Sequence, residues 1–351
     1  MFKQSGTIEV DSGRHSSYWF KILDDNAYAV EQDKLFIIHG NKKLVKSYPD
    51  VDLSITKTSN CLLIGNSLIG YDLITQDRSS INEPNLKGFQ LPFDSNSSKV
   101  YFFHRDRKLG KYQSGLYDTI TKTFSLIKGS ILNINFVDGD IYLTAENTRI
   151  DNKGNDLWKL DLTSLENVEV QEFLGVYQNQ LLVACSNHLL LSVNANTGEV
   201  IRKWRELPGF DASQSYKDVL PEPSDFVLDK EAGKLIGVFS KYYFEIDIIS
   251  GQISYEDVRQ ELNAHHINSF RRMGRNNTFT KDHLFVTAHA ELDERPNVDL
   301  DCVLALNRNT KKVDWVHIFK DTGLGTNAPQ MTNTHLYQLD TEKNLYIFEK
   351  E

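Results

Sequence analysis

A short apolar run, a turn built around Asp, Asn or Gly, and a second apolar run recur along the whole chain, the pattern of consecutive β-hairpins. Residues 34–38 (KLFII) and Leu44-Val45 flank the polar stretch 39–43. Residues 61–64 and 67–72 read as two strands around a Gly65-Asn66 turn, with Asp72 opening the next turn. Residues 114–118 are followed by 119–124. Residues 134–137 and 141–143 enclose an Asp138-Gly139 turn. Three strands and two turns fit the span from Tyr177 to Trp204. The arrangement returns at 234–239 with 242–253, at 284–287, at 302–307, and at 334–340 with 345–348.

The Asx residues that mark these units are Asp72, Asp118, Asp151, Asn194, Asp247, Asn307 and Asp340, and their spacings run from 33 to 60 residues. Such irregularity means that the connecting loops grow unequally. A four-stranded antiparallel blade takes roughly 40 to 50 residues, so the chain length predicts a seven-bladed β-propeller, with six or eight blades left open by the spacing. One domain over 1–351 is expected, its ring closed by the terminal strands, with loop excursions near 205–226 and 255–282. A blade cannot bury both faces alone, so the units must stack.

Ala305-Leu306-Asn307-Arg308-Asn309-Thr310-Lys311-Lys312-Val313-Asp314-Trp315 resembles the repeat of the pyrroloquinoline-quinone-dependent dehydrogenases and of the many non-enzymatic propellers that share it. That repeat is Ala-x-Asp, two spacers, Thr-Gly, three spacers and Trp; here Asn307 stands for Asp and Lys311 for Gly. The turn Asn194 to Gly198 keeps the pattern with Trp204 two residues late, and Asp247 to Gly251 keeps it without Trp. In physical terms Asp or Asn caps backbone amides, Gly relaxes φ, and Trp packs between blades. The resemblance implies the fold rather than an activity. The quinoenzymes hold Ca²⁺ beside the quinone, often with adjacent cysteines, and no adjacent cysteine pair occurs here.

Charge narrows the partner classes. Lys and Arg total 39 against 48 Asp and Glu, a formal charge of -9, so the surface on average repels nucleic acid and anionic membrane. The three cysteines, Cys61, Cys185 and Cys302, are far apart and sit in apolar runs, so they read as buried strand residues rather than a disulfide or thiolate metal site. The amino-terminal residues lack a signal peptide's apolar stretch and no later segment has 18 uncharged apolar residues, which makes the cytoplasm the expected compartment.

Catalytic signatures are sparse. GxSxG, GxxxxGK, GxGxxG and HExxH are absent. His265, His266, His283 and His289 could supply imidazoles to zinc, but their spacing reads as loop and strand histidines. The acids Asp293, Glu294, Asp299 and Asp301 lack the EF-hand spacing and read as a solvated loop. Glu206 and Asp211 have no local feature marking them as a glycosidase pair. No cofactor, metal or enzymatic activity is therefore expected.

The loops supply the candidate partner-binding residues. Glu206, Phe210, Asp211, Glu222, Asp225 and Phe226 lie in the first excursion, where acids and aromatics could grip a partner. Arg271, Arg272 and Arg275 concentrate positive charge in the second and could hold a phosphate or carboxylate, and Asp293 and Glu294 follow. The expected function is non-enzymatic protein binding, most specifically as an immunity or inhibitor protein. It would be monomeric by itself and would cover the active site of a basic toxin encoded nearby, such as a nuclease. A general scaffold or regulatory propeller, and a metal- or quinone-dependent propeller enzyme, are the alternatives.

Overall fold

The structure, a computed structural model, describes residues 1–10, 20–23, 25–31, 33–39, 41–47, 53–66, 70–75, 80–83, 97–106, 111–127, 134–137, 141–144, 146–164, 168–271, 278–325 and 327–351. The chain divides into two compact units, one of residues 10–161 with 195–199, the other of residues 1–9, 162–194 and 200–351.

In chain order the first strand is β1 (Phe2–Glu9), which belongs to the second of these units. The unit built on 10–161 holds four blade sheets. They are β2 (Phe20–Leu23), β3 (Asn26–Glu31), β4 (Lys34–His39) and β5 (Asn41–Ser47); then β6 (Ser54–Lys57), β7 (Cys61–Asn66), β8 (Gly70–Thr75) and β9 (Ser80–Glu83). There follow β10 (Lys99–Asp106), β11 (Lys111–Asp118) and β12 (Thr123–Ile127), then β13 (Ile134–Val137), β14 (Ile141–Thr144), β15 (Thr148–Ile150) and β16 (Asp156–Lys159).

The other unit starts its sheets with β17 (Val170–Tyr177), β18 (Gln180–Cys185), β19 (Leu190–Asn194) and β20 (Val200–Trp204). A two-stranded ribbon, β21 (Glu206–Asp211) with β22 (Lys217–Val219), precedes the sheet of β23 (Val227–Asp229), β24 (Lys234–Phe239), β25 (Tyr242–Asp247) and β26 (Ile253–Asp257). Helix α1 (Arg259–Ala264) leads to β27 (Ile267–Phe270), β28 (Thr278–Phe279), β29 (His283–Leu292), β30 (Arg295–Asn307) and β31 (Val313–Phe319). The last sheet contains β32 (Gln330–Met331), β33 (His335–Leu339) and β34 (Asn344–Lys350), and its outer strand is β1, which pairs antiparallel with β34.

This is the all-β propeller of four-stranded antiparallel blades that the sequence predicts. Among the described residues seven sheets have the complete four-strand path, the expected number, β28 being an extra strand on β29. An eighth sheet, β10-β11-β12, has three described strands, so blade-type sheets reach the upper end of the range the spacing leaves open.

Burial explains why each run takes its place. Middle strands are covered on both faces and read as continuous apolar runs, as in β18 (QLLVAC), whereas the outer β20 (VIRKW) alternates. Cys61, Cys185 and Cys302 are buried strand residues. The Asx turns follow the expected chemistry. Asn307 Oδ1 accepts from the amides of Asn309 and Thr310, both at 3.0 Å, and Asp247 Oδ1 accepts from the Ser250 amide at 2.7 Å. The position four residues on is left-handed whether it is Gly251 (φ 79°) or Lys311 (φ 57°).

Three local expectations are corrected. Gly65-Asn66 lies inside β7 rather than at a turn, and Asp72 lies inside β8, because pairing runs through Asn66↔Gly70 and Ile64↔Asp72. Asp340 caps the β33–β34 hairpin, accepting from the Asn344 amide at 2.7 Å. It therefore marks the turn between a blade's second and third strands rather than the one after the third.

Candidate partner-binding end of the β29–β30 blade

The hairpin of β29 and β30 is longer than the strands beside it. Its pairing runs from His283↔Asn307 to Ala290↔Leu300 and resumes at Leu292↔Arg295. On one side β27 pairs no further than Ala290, and on the other β31 reaches no further than Asp301, opposite its last residue Phe319. Residues 291–300 therefore project past both flanking strands. The projection is rich in acid: Glu291, Asp293, Glu294 and Asp299, with Asp301 at its base.

Neighbouring segments fix its position. Arg295 Nη1 donates to the Lys320 carbonyl at 2.6 Å, and Lys320 Nζ donates to Glu294 Oε1 at 2.6 Å. That ammonium holds the Glu294 carboxyl below its ordinary range. The Glu291 amide donates to the His266 carbonyl at 2.9 Å, and His266 Nδ1 stands 3.9 Å from Asp293 Oδ1. Asn268 Nδ2 lies 3.4 Å from both Glu291 Oε2 and Asp299 Oδ1, so one amide bridges two carboxylates. At the base, Asp301 Oδ2 accepts from the Leu324 amide at 2.6 Å and faces Arg271 Nη1 at 2.8 Å, while Asp301 Oδ1 is 3.6 Å from His289 Nδ1.

Arg271 is thus ion-paired with a carboxylate of its own chain. Arg272 and Arg275 lie outside the described residues. Asp293 and Glu294 sit together at the tip of the hairpin and are exposed.

The first excursion behaves differently from its sequence reading. Phe210 is 1% exposed, and its ring meets Tyr242 at 5.0 Å and Phe244 and Tyr255 at 5.3 Å, each edge-on. Phe226 is buried over Gly237, where a Cβ would come within 2.9 Å of the Phe226 ring. Phe210 holds the ribbon to its blade and Phe226 packs within the blade, so neither ring is exposed to a partner. Asp225 is buried as well, Glu222 is half-buried, and Glu206 and Asp211, at the two ends of β21, are exposed. Strand alternation could not reveal Phe210, because Pro208 and Gly209 (φ 84°) break it and bring Leu207 and Phe210 to one side.

The histidines are dispersed among separate carboxylates. His283 Nε2 is 2.8 Å from Asp314 Oδ2, and His265 Nε2 is 3.4 Å from Glu261 Oε1 within α1. Among the described residues no group of three His, Cys, Asp or Glu could hold a metal ion. No helix among them is long and apolar enough to cross a membrane.

The class that fold and site define is a β-propeller with an acidic projecting hairpin, of a kind suited to binding other proteins. No family model matches the sequence, and no curated protein matches it. Among solved structures the chain is similar to the computationally designed Ika8 protein, with a TM-score of 0.55 and 11% identity over 97% of this chain and 99% of that one. BamB from Moraxella catarrhalis aligns over the full length of both chains at 12% identity with a TM-score of 0.40. At such identity the likeness to the designed protein is one of fold.

Proposed function

We propose that the protein is a non-enzymatic binding propeller whose partner is a basic protein, and that it works as an immunity or inhibitor protein by covering the active site of a toxin such as a nuclease. The observation that carries this reading is the β29–β30 projection, whose exposed Asp293 and Glu294 stand at the tip of a rigidly held hairpin on a chain of net charge -9. Negative charge on a projecting element accelerates encounter with a cationic surface, and carboxylates placed in a basic groove occupy the positions of substrate phosphates.

The test is co-expression with the products of the adjacent genes, followed by size-exclusion chromatography and measurement of growth. A complex and rescue from the neighbour's toxicity are expected. The double variant Asp293→Lys/Glu294→Lys should slow association about tenfold at low salt. Absence of both complex and protection would overturn the immunity reading, and a complex insensitive to the double variant would move the partner away from this hairpin.

A further inference from the structure

Each blade ends in an outer strand whose second edge faces no other strand among the described residues. Proteins blunt such edges, most often with charge, because a bare edge is a template for another strand. Seven of the eight outer strands here carry at least one charged residue, from Glu83 on β9 to Lys42, Lys43 and Lys46 on β5. The exception is β12, Thr123-Phe124-Ser125-Leu126-Ile127.

Two further observations bear on β12 as a docking edge. Leu126 is 59% exposed, and Ile120, on the turn leading into the strand, is 67% exposed. The strand is also firmly seated. Its five residues pair with β11 from Asp118↔Thr123 to Ser114↔Ile127, Ile127 is buried, and the Phe124 ring packs edge-on against Phe102 at 6.5 Å in the space that Gly115 leaves open. A partner would therefore meet a pre-ordered strand.

We propose that β12 is a strand-addition site for an extended segment of a protein partner. The segment would be uncharged over about five residues, with apolar side chains to cover Leu126 and an acidic residue at its end to meet Lys122. Main-chain hydrogen bonds would supply the pairing, and Leu126 the apolar contact. A second copy of this chain fits less well. Each copy carries a charge of -9, and β12 itself offers no acidic residue to meet Lys122 of the other copy. The site is independent of the β29–β30 hairpin.

The probe is a fluorescein-labelled, end-blocked heptapeptide, Asp-Val-Thr-Val-Thr-Val-Asp, titrated by fluorescence anisotropy, with the Lys-ended version for comparison. The Asp-ended peptide should bind at least tenfold more tightly than the Lys-ended one and should slow hydrogen exchange in 123–127. Leu126→Asp should weaken it at least tenfold. Leu126→Lys should also weaken it despite the added attraction, while Asp293→Lys leaves it unchanged. Failure of the Asp-ended peptide to bind at millimolar concentration, or equal binding to a folded Leu126→Asp variant, would overturn the proposal. A dimer in sedimentation velocity that Leu126→Asp abolishes would also overturn it, in favour of a second copy as the occupant.

Discussion

Arg308 donates from Nη2 to Asp229 Oδ2 at 2.6 Å, with both side chains only 7% exposed. Both members of the pair have a further partner. Arg308 Nη1 donates to the Thr280 carbonyl at 2.8 Å, and the guanidinium carbon lies 5.6 Å from the Phe279 ring centroid. Asp229 Oδ1 accepts from the amides of Glu231 and Ala232, each at 3.1 Å, closing the β23–β24 turn. A buried pair is weak grounds for net stability, but removing one member leaves the other charge uncompensated. Arg308→Met should therefore destabilise by about 3–5 kcal/mol in urea unfolding, and Arg308→Met/Asp229→Asn by clearly less than the sum of the two single changes. Additive costs would show that the two charges are not coupled.

Trp158 and Gly198 give a contrast between two turns of the same sequence type. Trp158 Nε1 donates to the Ala195 carbonyl at 3.0 Å, and a Cβ on Gly198 (φ 78°) would come within 2.8 Å of the indole ring. Trp204 Nε1 donates likewise to the Gly251 carbonyl at 2.9 Å, but a Cβ on Gly251 (φ 79°) would meet the long aliphatic-stemmed side chain of Arg202, whose Nη1 donates to the Ile248 and Ile249 carbonyls and which can shift at the cost of those two bonds. Both Gly→Ala changes carry the left-handed cost of about 1–2 kcal/mol. Gly198→Ala adds a clash with a ring that cannot easily move. Its melting temperature should fall further than that of Gly251→Ala, and Trp158→Phe should shrink the difference.

Asn307 and Phe210 mark the limits of what the sequence discloses. The Asn307 turn is legible because Asx capping, the left-handed position at 311 and the Trp315 spacing are all local, and even Lys at the glycine position keeps the geometry. The pairing partners and the curvature of β21 are not local. Phe210 looks like a loop aromatic until the Pro208-Gly209 bend turns it onto Tyr242, Phe244 and Tyr255. Arg271 looks like an anion-binding residue until β29 and β30 bring Asp301 within 2.8 Å. The Arg308–Asp229 pair spans 79 residues, and no periodicity in the chain records it. The acidic composition of 291–301 is plain in the sequence, but its projection depends on where β27 and β31 stop.

The three thiols should be silent in the folded protein. Burial pushes Cys185 and Cys302 up to about 12, and Cys61 is raised by the same desolvation, opposed in part by hydrogen bonds from Thr58 and Thr119. At pH 8 the thiolate fraction of Cys185 or Cys302 is then on the order of 10⁻⁴, and burial also blocks access. Ellman's reagent should release almost no chromophore from the native protein and three equivalents in guanidinium chloride. Rapid reaction of any thiol under native conditions would place it in a locally opening segment.

His317 should give stability a pH dependence in a defined window. On β31 its ring meets Phe319 at 4.7 Å and Phe348 at 4.8 Å and lies parallel to Trp315, so burial disfavours the imidazolium and lowers the pKa from 6.5. Below the unfolded value the unfolded chain binds the proton first. Stability from this residue is therefore complete above pH 6.5 and declines as pH falls from there through the lower folded value. Asp314 acts in a separate, more acid window. Its carboxyl is held below 3.8 by Asn307 and His283, so its contribution is present above 3.8 and is lost below it, as pH falls through the folded value. Urea midpoints measured at pH 7.5, 6.5, 5.5 and 5.0 should fall across the series, and His317→Phe, which keeps the aromatic contacts and removes the proton site, should reduce the slope below pH 6.5. Should that variant fold poorly, His317→Gln tests the same point. An unchanged slope in both would show that His317 does not carry the dependence.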